Sequence, residues 1–368
     1  MNTPLLFFRR LNWFLIAPAL LLVLFGIVMS YSLSTAQDVP DFSIFWKQVI
    51  FSFVGIILLF ILSAVDYRFY KSWYIAIYSV AVLLLVGVLI FGVTIRGTKG
   101  WFNIFGVTVQ VVEFVKILMI VAFSAYLVRL KVSLVRFQDV FISGAAMAVL
   151  VILTFLQPDL GSGILLLGIF LGMLLLVKTK RFYVIILILL ITISSIVGWF
   201  FVLQDFQKDR ILTFLNPDRD PLGVGYNLQQ SIIAIGSGQL FGRGLTLGPQ
   251  SRLEFLPEAQ NDFIFAVIAE AMGFAGVLLL FFLFITMIIQ LLRVARRARD
   301  DFGILLASGV AIALIVQTVV NISTNLGLLP VAGLPLPLVS AGGSSLLVSL
   351  GAIGIVASID YHQRLGLK

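Results

Sequence analysis

Asn12–Tyr31 reads NWFLIAPALLLVLFGIVMSY, a run of 20 residues without a charged side chain. A hydrocarbon core about 30 Å thick is crossed by roughly 20 helical residues. Arg9 and Arg10 precede this run, as basic residues precede a signal peptide, but no small-residue cleavage site follows. We therefore expect Asn12–Tyr31 to be a membrane-spanning helix that is retained.

Apolar runs of this kind recur along the whole chain. The same length criterion predicts ten spans, at about 13–34, 46–65, 72–92, 108–128, 138–156, 162–177, 182–202, 262–291, 303–329 and 341–359. The sixth is short, and the eighth and ninth are long enough to tilt. The predicted fold class is an all-α polytopic integral membrane protein, with residues 1–368 forming a single domain.

The composition supports this fold class. Of the 368 residues, 61% are hydrophobic and only 11% are charged, whereas soluble domains contain roughly a quarter charged residues. The chain has no cysteine, which excludes disulfides and thiolate metal sites, and His362 is its single histidine, which excludes a histidine-based zinc site or catalytic triad.

The net charge of +8 lies in short clusters between apolar runs, which argues against nucleic acid as a partner. Sixteen of the 25 Lys and Arg residues fall on the side of the N-terminus, against three in the short connections of the other side. The positive-inside rule then predicts that both termini are cytoplasmic. The long connection Leu203–Asn261 would face outward and contain short helices of its own, with Asn227–Ile235 as a candidate.

Two charged residues, Glu113 and Lys116, lie inside the fourth predicted span, where charge is costly and usually functional. Their i, i+3 spacing places them on one helical face. They form either an ion pair that locks helices together or part of a cavity on the substrate path, and the two interpretations are compatible.

Two aspartates lie at predicted helix starts. Asp159, in the turn Gln157–Ser162, is expected to cap the sixth span. Asp262 lies where the long connection re-enters the membrane; it is either a helix cap or, if partly desolvated, a general base. Glu270, deeper in the same helix, is expected to be structural. The glycine run at 236–244 does not match a nucleotide-binding motif.

Several separated motifs, in order, resemble the SEDS family, and within it the RodA branch more than FtsW or the sporulation homologue SpoVE. They are Gln157–Ser162, Phe214–Asn227, Gln230–Gly244, Phe255–Glu258, Asp262–Glu270 and Asn321–Ser345. The Asp-Pro-Leu-Gly, Gly-Tyr-Asn and Gly-Ser-Gly elements favour the RodA branch. Two departures bear on local geometry: Gln110-Val111-Val112-Glu113 replaces the usual Gln-Pro-Ser-Glu, and Asn261-Asp262 replaces Thr-Asp.

This resemblance implies a ten-helix glycosyltransferase that polymerises lipid II into peptidoglycan strands at the outer face of the bacterial cytoplasmic membrane during cell elongation. It also implies a class B penicillin-binding protein as partner. The family's essential loop aspartate matches Asp262, and its fourth-helix acidic and basic pair matches Glu113 and Lys116.

On this basis Asp262 is the expected base for a sugar 4-hydroxyl. Arg210, Arg243 and Arg252 are candidates to stabilise the departing pyrophosphate. A divalent cation (Mg²⁺ or Mn²⁺) is a further candidate for that task, no cofactor is assigned, and no nucleotide is needed. The residues expected to bind substrate or line the cavity are Glu113, Lys116, Arg210, Arg243, Arg252, Asp159, Gln157, Glu258 and Ser344.

Two other functions stay open at the level of sequence. A lipid II flippase would use Glu113 and Lys116 to line a translocation path, although no inverted repeat or matching pair of broken helices is visible. A non-catalytic scaffold of the elongation machinery would tolerate substitution of Asp262.

Overall fold

The computed structural model describes residues 4–36, 40–134, 136–220, 223–248, 255–256 and 258–365. Fourteen α-helices are present in these ranges: α1 (Pro4–Arg10), α2 (Trp13–Ala36), α3 (Ser43–Ala64), α4 (Arg68–Ser72), α5 (Tyr74–Phe91), α6 (Val111–Arg129), α7 (Phe137–Phe155), α8 (Leu160–Leu174), α9 (Arg181–Phe201), α10 (Asp205–Leu215), α11 (Val224–Ser237), α12 (Ile264–Arg297), α13 (Asp301–Asn325) and α14 (Gly343–Leu365).

Ten of these helices correspond to the ten predicted spans. Nine have at least 18 residues and are apolar enough to cross a membrane, and the sixth span is the shorter α8, with 15 residues. In α9 every residue is at least partly exposed although the helix is strongly apolar. Such a helix requires lipid around it, so the polytopic all-α fold is confirmed.

Two small sheets lie between the helices and were not predicted. β1 (Val93–Ile95), β2 (Thr98–Ile104) and β3 (Val107–Gln110) form an antiparallel meander between α5 and α6. β4 (Ser133–Leu134) pairs in parallel with β5 (Lys178–Thr179). Because Val107–Gln110 is a strand, the fourth span starts at Val111 and not at residue 108.

The long connection Leu203–Asn261 contains the expected short helices. α10 starts two residues into it, a 3₁₀ turn covers Pro217–Arg219, and α11 includes the predicted Asn227–Ile235 segment. Asp220 Oδ2 accepts a hydrogen bond from Val224 N (2.8 Å), which satisfies an amide in the first turn of α11.

The chain divides into two compact units. The first unit comprises Met1–Asp66, Arg210–Arg297 and Leu314–Lys368, and the second unit comprises Tyr67–Asp209 and Ala298–Ala313. In the first unit α3 packs along α14, and α2 and α11 pack on α12. In the second unit α5 packs on α6, and α7 packs on α8.

The first unit contains a broken membrane helix. Within α12, Gly273 has non-helical angles (φ 64°, ψ −161°), a conformation that glycine adopts without steric cost. The break is bridged by four backbone hydrogen bonds to the glycine-rich segment 239–244: Phe274 N to Gln239 O (2.9 Å), Ala275 N to Leu240 O (3.0 Å), Arg243 N to Glu270 O (2.9 Å) and Gly244 N to Ala271 O (3.0 Å).

These bonds explain the glycine run. Unsatisfied backbone groups are costly in a bilayer, and the loop supplies partners to the amides and carbonyls that the break releases. A side chain at Gly238 would collide with the carbonyl of Ala269, since its Cβ would lie 1.8 Å from that oxygen. The glycines therefore allow the backbone of this segment to lie directly against α12.

Candidate functional site

Asp262 lies in a turn two residues before α12 and is half-buried. Its backbone carbonyl accepts hydrogen bonds from two side chains of α13, Asn321 Nδ2 and Asn325 Nδ2, each at 2.9 Å. The amide of Ala266, in the first turn of α12, donates to Asn325 Oδ1 (3.2 Å). These bonds fix the backbone of Asp262 without using its carboxylate.

The two asparagines form a clamp that extends beyond Asp262. Asn321 Nδ2 also donates to the carbonyl of Leu334 (2.8 Å), and Asn325 Nδ2 donates to the carbonyl of Asn321 (2.8 Å). Both asparagines are buried. One turn of α13 therefore holds the start of α12 and the segment after α13 in a fixed relation.

The segment 333–341 is tied to the same turn from its other side. Ser340 Oγ donates to the carbonyl of Asn261 (2.6 Å), and Ala341 N donates to the carbonyl of Gln260 (2.9 Å). Gln317, one turn before Asn321, donates to the carbonyl of Pro335 (3.0 Å). The loop before α12 and the loop before α14 are thus joined by hydrogen bonds.

Asp262 and Arg210 converge on Gly333. A Cβ atom at Gly333 would lie 3.8 Å from Asp262 Oδ2 and 4.0 Å from Arg210 Nη1. Gly333 has a φ of +66°, a region that glycine occupies without strain. A carboxylate and a guanidinium from separate elements therefore face one small patch of backbone.

The remaining predicted residues of the first unit have different environments. Glu258 is half-buried and its Oε2 accepts from Asn261 Nδ2 (2.7 Å). Arg243 is exposed and its Nε donates to the carbonyl of Ser237 (3.1 Å). Ser344 is buried in the first turn of α14. Arg252 lies outside the described residues.

Glu113 and Lys116 form a buried ion pair in the second unit. Lys116 Nζ lies 2.6 Å from Glu113 Oε2, and their side chains are 4% and 3% exposed. The predicted i, i+3 pair is therefore confirmed as a contact. Each charge has its counterion within the same helix, which lowers the cost of burying both in a membrane.

Asp159 caps α8, as the sequence predicts. Its Oδ1 accepts from Ser162 N (3.0 Å), and its Oδ2 accepts from Ser162 Oγ (2.7 Å) and Gln110 Nε2 (3.4 Å). Burial raises the pKa of the Asp159 carboxyl, the bonds from Ser162 oppose that rise, and the charge of Glu113 adds to it. Asp159 and Glu113 are therefore close enough to interact.

Gln157 is fully buried beside this cluster. Its side-chain Nε2 lies 3.5 Å from the backbone carbonyl of Leu85, and the backbone carbonyl of Gln157 accepts a hydrogen bond from Lys99 N (3.1 Å). Its Oε1 has no hydrogen-bond donor among the described residues and faces Gly100, whose Cβ would lie 3.3 Å away. The acceptor is therefore directed at the β2 backbone.

From the sequence alone, no role was predicted for Gln317, Asn321, Asn325 or Ser340. A signal was present for the first three, because they recur every four residues in an apolar helix and so share one face. Polar side chains in a membrane helix usually face a partner. Their partners are backbone carbonyls from distant segments, which no local pattern indicates.

No group of three or more Asp, Glu or His residues that could hold a metal ion occurs in the part of the chain that the structure describes. Mg²⁺ in phosphate-transferring sites is usually held by one or two carboxylates plus the substrate's phosphates. The predicted divalent cation therefore stays a prediction.

Residues 12–365 match the family model FTSW_RODA_SPOVE, described as cell cycle protein. The chain is 36% identical, over 352 residues, to the peptidoglycan glycosyltransferase MrdB of Escherichia coli, and the match covers 95% of this chain and 94% of MrdB.

Two solved structures have the same fold. One, described as "Structural coordination of polymerization and crosslinking by a peptidoglycan synthase complex", contains a chain of 28% identity with a TM-score of 0.81, covering 96% of this chain and 98% of that one. The other is the rod shape determining protein RodA of Thermus thermophilus, with 26% identity and a TM-score of 0.70, covering 95% and 96%.

Proposed function

This chain belongs to the FtsW/RodA/SpoVE family of cell cycle proteins, and from that premise we propose that it is a peptidoglycan glycosyltransferase that polymerises lipid II during cell elongation. It is a multi-pass bacterial membrane protein. The observation that carries the proposal is the convergence of Asp262 and Arg210 on Gly333. The names of the relatives support the reaction class, and the RodA-type motifs support the elongation role.

In the proposed reaction, the 4-hydroxyl oxygen of the acceptor sugar attacks the anomeric carbon of the donor. A new C–O bond forms as the bond to the lipid pyrophosphate breaks, and the hydroxyl proton passes to the Asp262 carboxylate. A general base of this kind contributes about 10²–10⁴-fold to a rate. The backbone clamp from Asn321 and Asn325 supports this role because it holds the residue in place through its backbone carbonyl.

The leaving pyrophosphate gains negative charge as the bond breaks. We assign its stabilisation to Arg210, whose guanidinium lies beside the same glycine as the Asp262 carboxylate. A guanidinium binds phosphate oxygens through two parallel hydrogen bonds. Arg243 and Arg252 remain further candidates, and a divalent cation bound through the substrate's phosphates would supply additional positive charge.

The proposed topology places both termini in the cytoplasm and the 203–261 connection outside, facing the outer surface of the cytoplasmic membrane. The charge bias of the short connections supports it. Asp262, at the end of that connection, would then meet lipid II in the outer leaflet. The proposed partner is a class B penicillin-binding protein that cross-links the product, in line with the synthase complex that contains the structural relative.

The test is polymerisation of purified lipid II by the purified chain with its penicillin-binding partner. Asp262→Asn is expected to lower strand synthesis by about 10²-fold or more and to leave thermal unfolding nearly unchanged. Asp301→Asn, which neutralises an exposed carboxylate at the start of α13, is the matched control and should retain full activity. Retained polymerisation by the Asp262 variant would remove it from the role of base.

The buried Glu113–Lys116 pair also suits a lipid II flippase. Vesicles with labelled lipid II on one leaflet distinguish the two functions. The proposed enzyme makes strands without moving lipid II between leaflets, whereas a flippase moves lipid II without making strands. A scaffold would do neither, and cells would tolerate Asp262→Asn.

A further inference from the structure

The second unit contains an apolar groove that the proposed reaction does not use. Its volume is about 300 Å³, and it is lined by side chains of α5, α6, α7 and α8. Three tyrosines, Tyr74, Tyr78 and Tyr126, and Ser143 are the polar residues of a wall that is otherwise made of Ala, Ile, Leu, Met and Phe. The groove therefore suits a hydrocarbon chain.

Two polar groups of the wall bond to backbone carbonyls of the protein. Tyr78 OH donates to the carbonyl of Ala146 (2.9 Å), and Ser143 Oγ donates to the carbonyl of Val140 (2.9 Å). Their hydrogen-bonding capacity is thus directed into the helices. Buried polar groups that are already bonded add little cost when an apolar ligand covers them.

One end of the groove is marked by charge. Tyr74 is the first residue of α5, and its hydroxyl accepts from Arg129 Nη1 (2.7 Å), at the last residue of α6. Tyr126, one turn earlier in α6, also lines the groove. An amphipathic tyrosine pair beside an arginine is typical of a membrane–water boundary.

The short β4–β5 pair enlarges this basic end. It joins the α6–α7 connection to the α8–α9 connection through Ser133 and Lys178. The two connections and their flanking residues carry six exposed basic side chains, which we call the basic rim: Arg129, Lys131, Arg136, Lys178, Lys180 and Arg181. Asp139, in the first turn of α7, is the acidic residue at this end, so the basic charge predominates.

We propose that this groove binds one acyl chain of an anionic phospholipid, whose phosphate lies on the basic rim. Basic pockets between membrane helices recognise anionic head groups in this way. The groove opens among membrane-spanning helices, where phospholipid is the abundant apolar molecule. The site does not depend on the proposed enzymatic function.

The distance along α6 separates the basic end of this groove from the Glu113–Lys116 pair. Glu113 is in the first turn of α6 and Tyr126 is in its last, so 13 residues, or roughly 20 Å of helix, lie between them. With the proposed topology the basic rim is cytoplasmic. The head group of lipid II would be at the opposite surface, which favours a phospholipid of the cytoplasmic leaflet.

The experiment is native mass spectrometry of the purified full chain with phosphatidylglycerol and with phosphatidylcholine of identical acyl chains. Phosphatidylglycerol is expected to be retained about fivefold more for each basic residue that its phosphate contacts. Arg129→Gln combined with Lys131→Gln removes two of the six charges of the basic rim, and it should lower the ratio of retained phosphatidylglycerol to phosphatidylcholine by about fivefold for each of the two residues that contacts the phosphate. Equal retention of both lipids by the unsubstituted chain would overturn the proposal.

A second pair of variants tests the groove itself. Ala146→Phe fills the groove and should abolish retention of both lipids, whereas Ala148→Phe, on the exposed side of the same helix, should not. Equal retention by the two variants, each checked for an unchanged unfolding temperature, would place the lipid elsewhere. Preferential retention of undecaprenyl phosphate over phosphatidylglycerol would replace the proposed occupant with a polyprenyl chain.

Discussion

The two units hold acidic residues in opposite ways. In the first unit the hydrogen bonds from Asn321 and Asn325 fix the backbone of Asp262 and do not use its carboxylate, which faces Gly333. In the second unit Lys116 lies 2.6 Å from the Glu113 carboxylate, and both are buried.

This difference between the surroundings of Asp262 and Glu113 bears on which of the two acids can react. A general base must be held in position while its carboxylate remains able to take a proton. The Glu113 carboxylate is held by its contact with Lys116 in the interior of the second unit. Asp262 stays the proposed reacting group, and we predict that Glu113 contributes chiefly to the stability of the second unit. Four further substitutions test the comparison.

The largest effect on stability is expected from Glu113→Ala. It removes the carboxylate that lies 2.6 Å from the buried Lys116 ammonium, and removing one partner of a buried ion pair costs about 3–5 kcal/mol. Polymerisation should fall less than in Asp262→Asn. Thermal unfolding in detergent, measured beside the strand-synthesis assay, checks both. The control is Glu113→Gln with Lys116→Met, which removes both charges and should recover most of the stability; unchanged stability in Glu113→Ala would refute the structural role.

Asn325→Leu should affect activity more than stability. The substitution removes the bonds to the carbonyl of Asp262 and the amide of Ala266. Each buried group left unsatisfied costs about 1–3 kcal/mol, and a displacement of about 1 Å at a reacting group lowers a rate by roughly 10²-fold.

Strand synthesis by the folded fraction measures this effect. Ser323→Ala, on the same helix but outside the clamp, is the control and should retain activity. A variant that loses stability yet polymerises at the normal rate would show that the clamp does not position Asp262.

Gly333→Ala should reduce activity by a smaller factor, about tenfold. Its Cβ would lie 3.8 Å from Asp262 Oδ2, and alanine at positive φ costs about 1–2 kcal/mol. Strand synthesis over a range of lipid II concentrations checks this prediction. Gly342→Ala is the matched control, because its Cβ would meet Pro335 and Ser345 at ordinary contact distances of 3.5–3.6 Å. Equal activity of the two variants would contradict a functional role for the space beside Gly333.

The smallest expected effect is on the pH dependence of the free energy of unfolding. Burial raises the pKa of Asp159 above its ordinary value of 3.8, so the folded chain binds this proton more tightly than the unfolded chain. The contribution of this tighter proton binding to the free energy of unfolding is fully present below pH 3.8. It is lost as the pH rises through the raised pKa.

Asp159→Asn keeps a capping side chain and removes that titration. The stability of the unsubstituted chain should therefore decline relative to Asp159→Asn as the pH is raised from about 4 to 7. Thermal unfolding of both proteins across this range measures the difference. A difference that is constant with pH, or that changes in the opposite direction, would contradict the raised pKa.

The spans and helix caps could be predicted because they depend on local sequence. Ten apolar runs gave ten helices, and Asp159 caps α8 through Ser162, three residues away. The same locality limited the prediction at residues 108–110, which were assigned to the start of the fourth span although they pair with β2 as part of strand β3. Short apolar runs do not distinguish a strand from a helix end.

The Asp262 site was predicted only in part. The sequence and the family resemblance pointed to Asp262 and Arg210, whereas the clamp residues Asn321 and Asn325 had no assigned role. Their polar stripe on α13 was visible, but their acceptor is a carbonyl 59 and 63 residues away. The position of Gly333 beside the carboxylate could not be inferred from its own neighbours in sequence.

The sequence by itself determined that this chain crosses a membrane about ten times and that few charges enter the bilayer, because the length and hydropathy of each run decide its transfer into lipid. The tertiary structure alone decided which polar groups meet. The hydrogen bond from Ser340 to Asn261 spans 79 residues. Segment 239–244 forms backbone hydrogen bonds with α12 on both sides of the break at Gly273. Buried polar groups need hydrogen-bond partners. Packing decides which partners are near enough, and packing is a property of the whole fold.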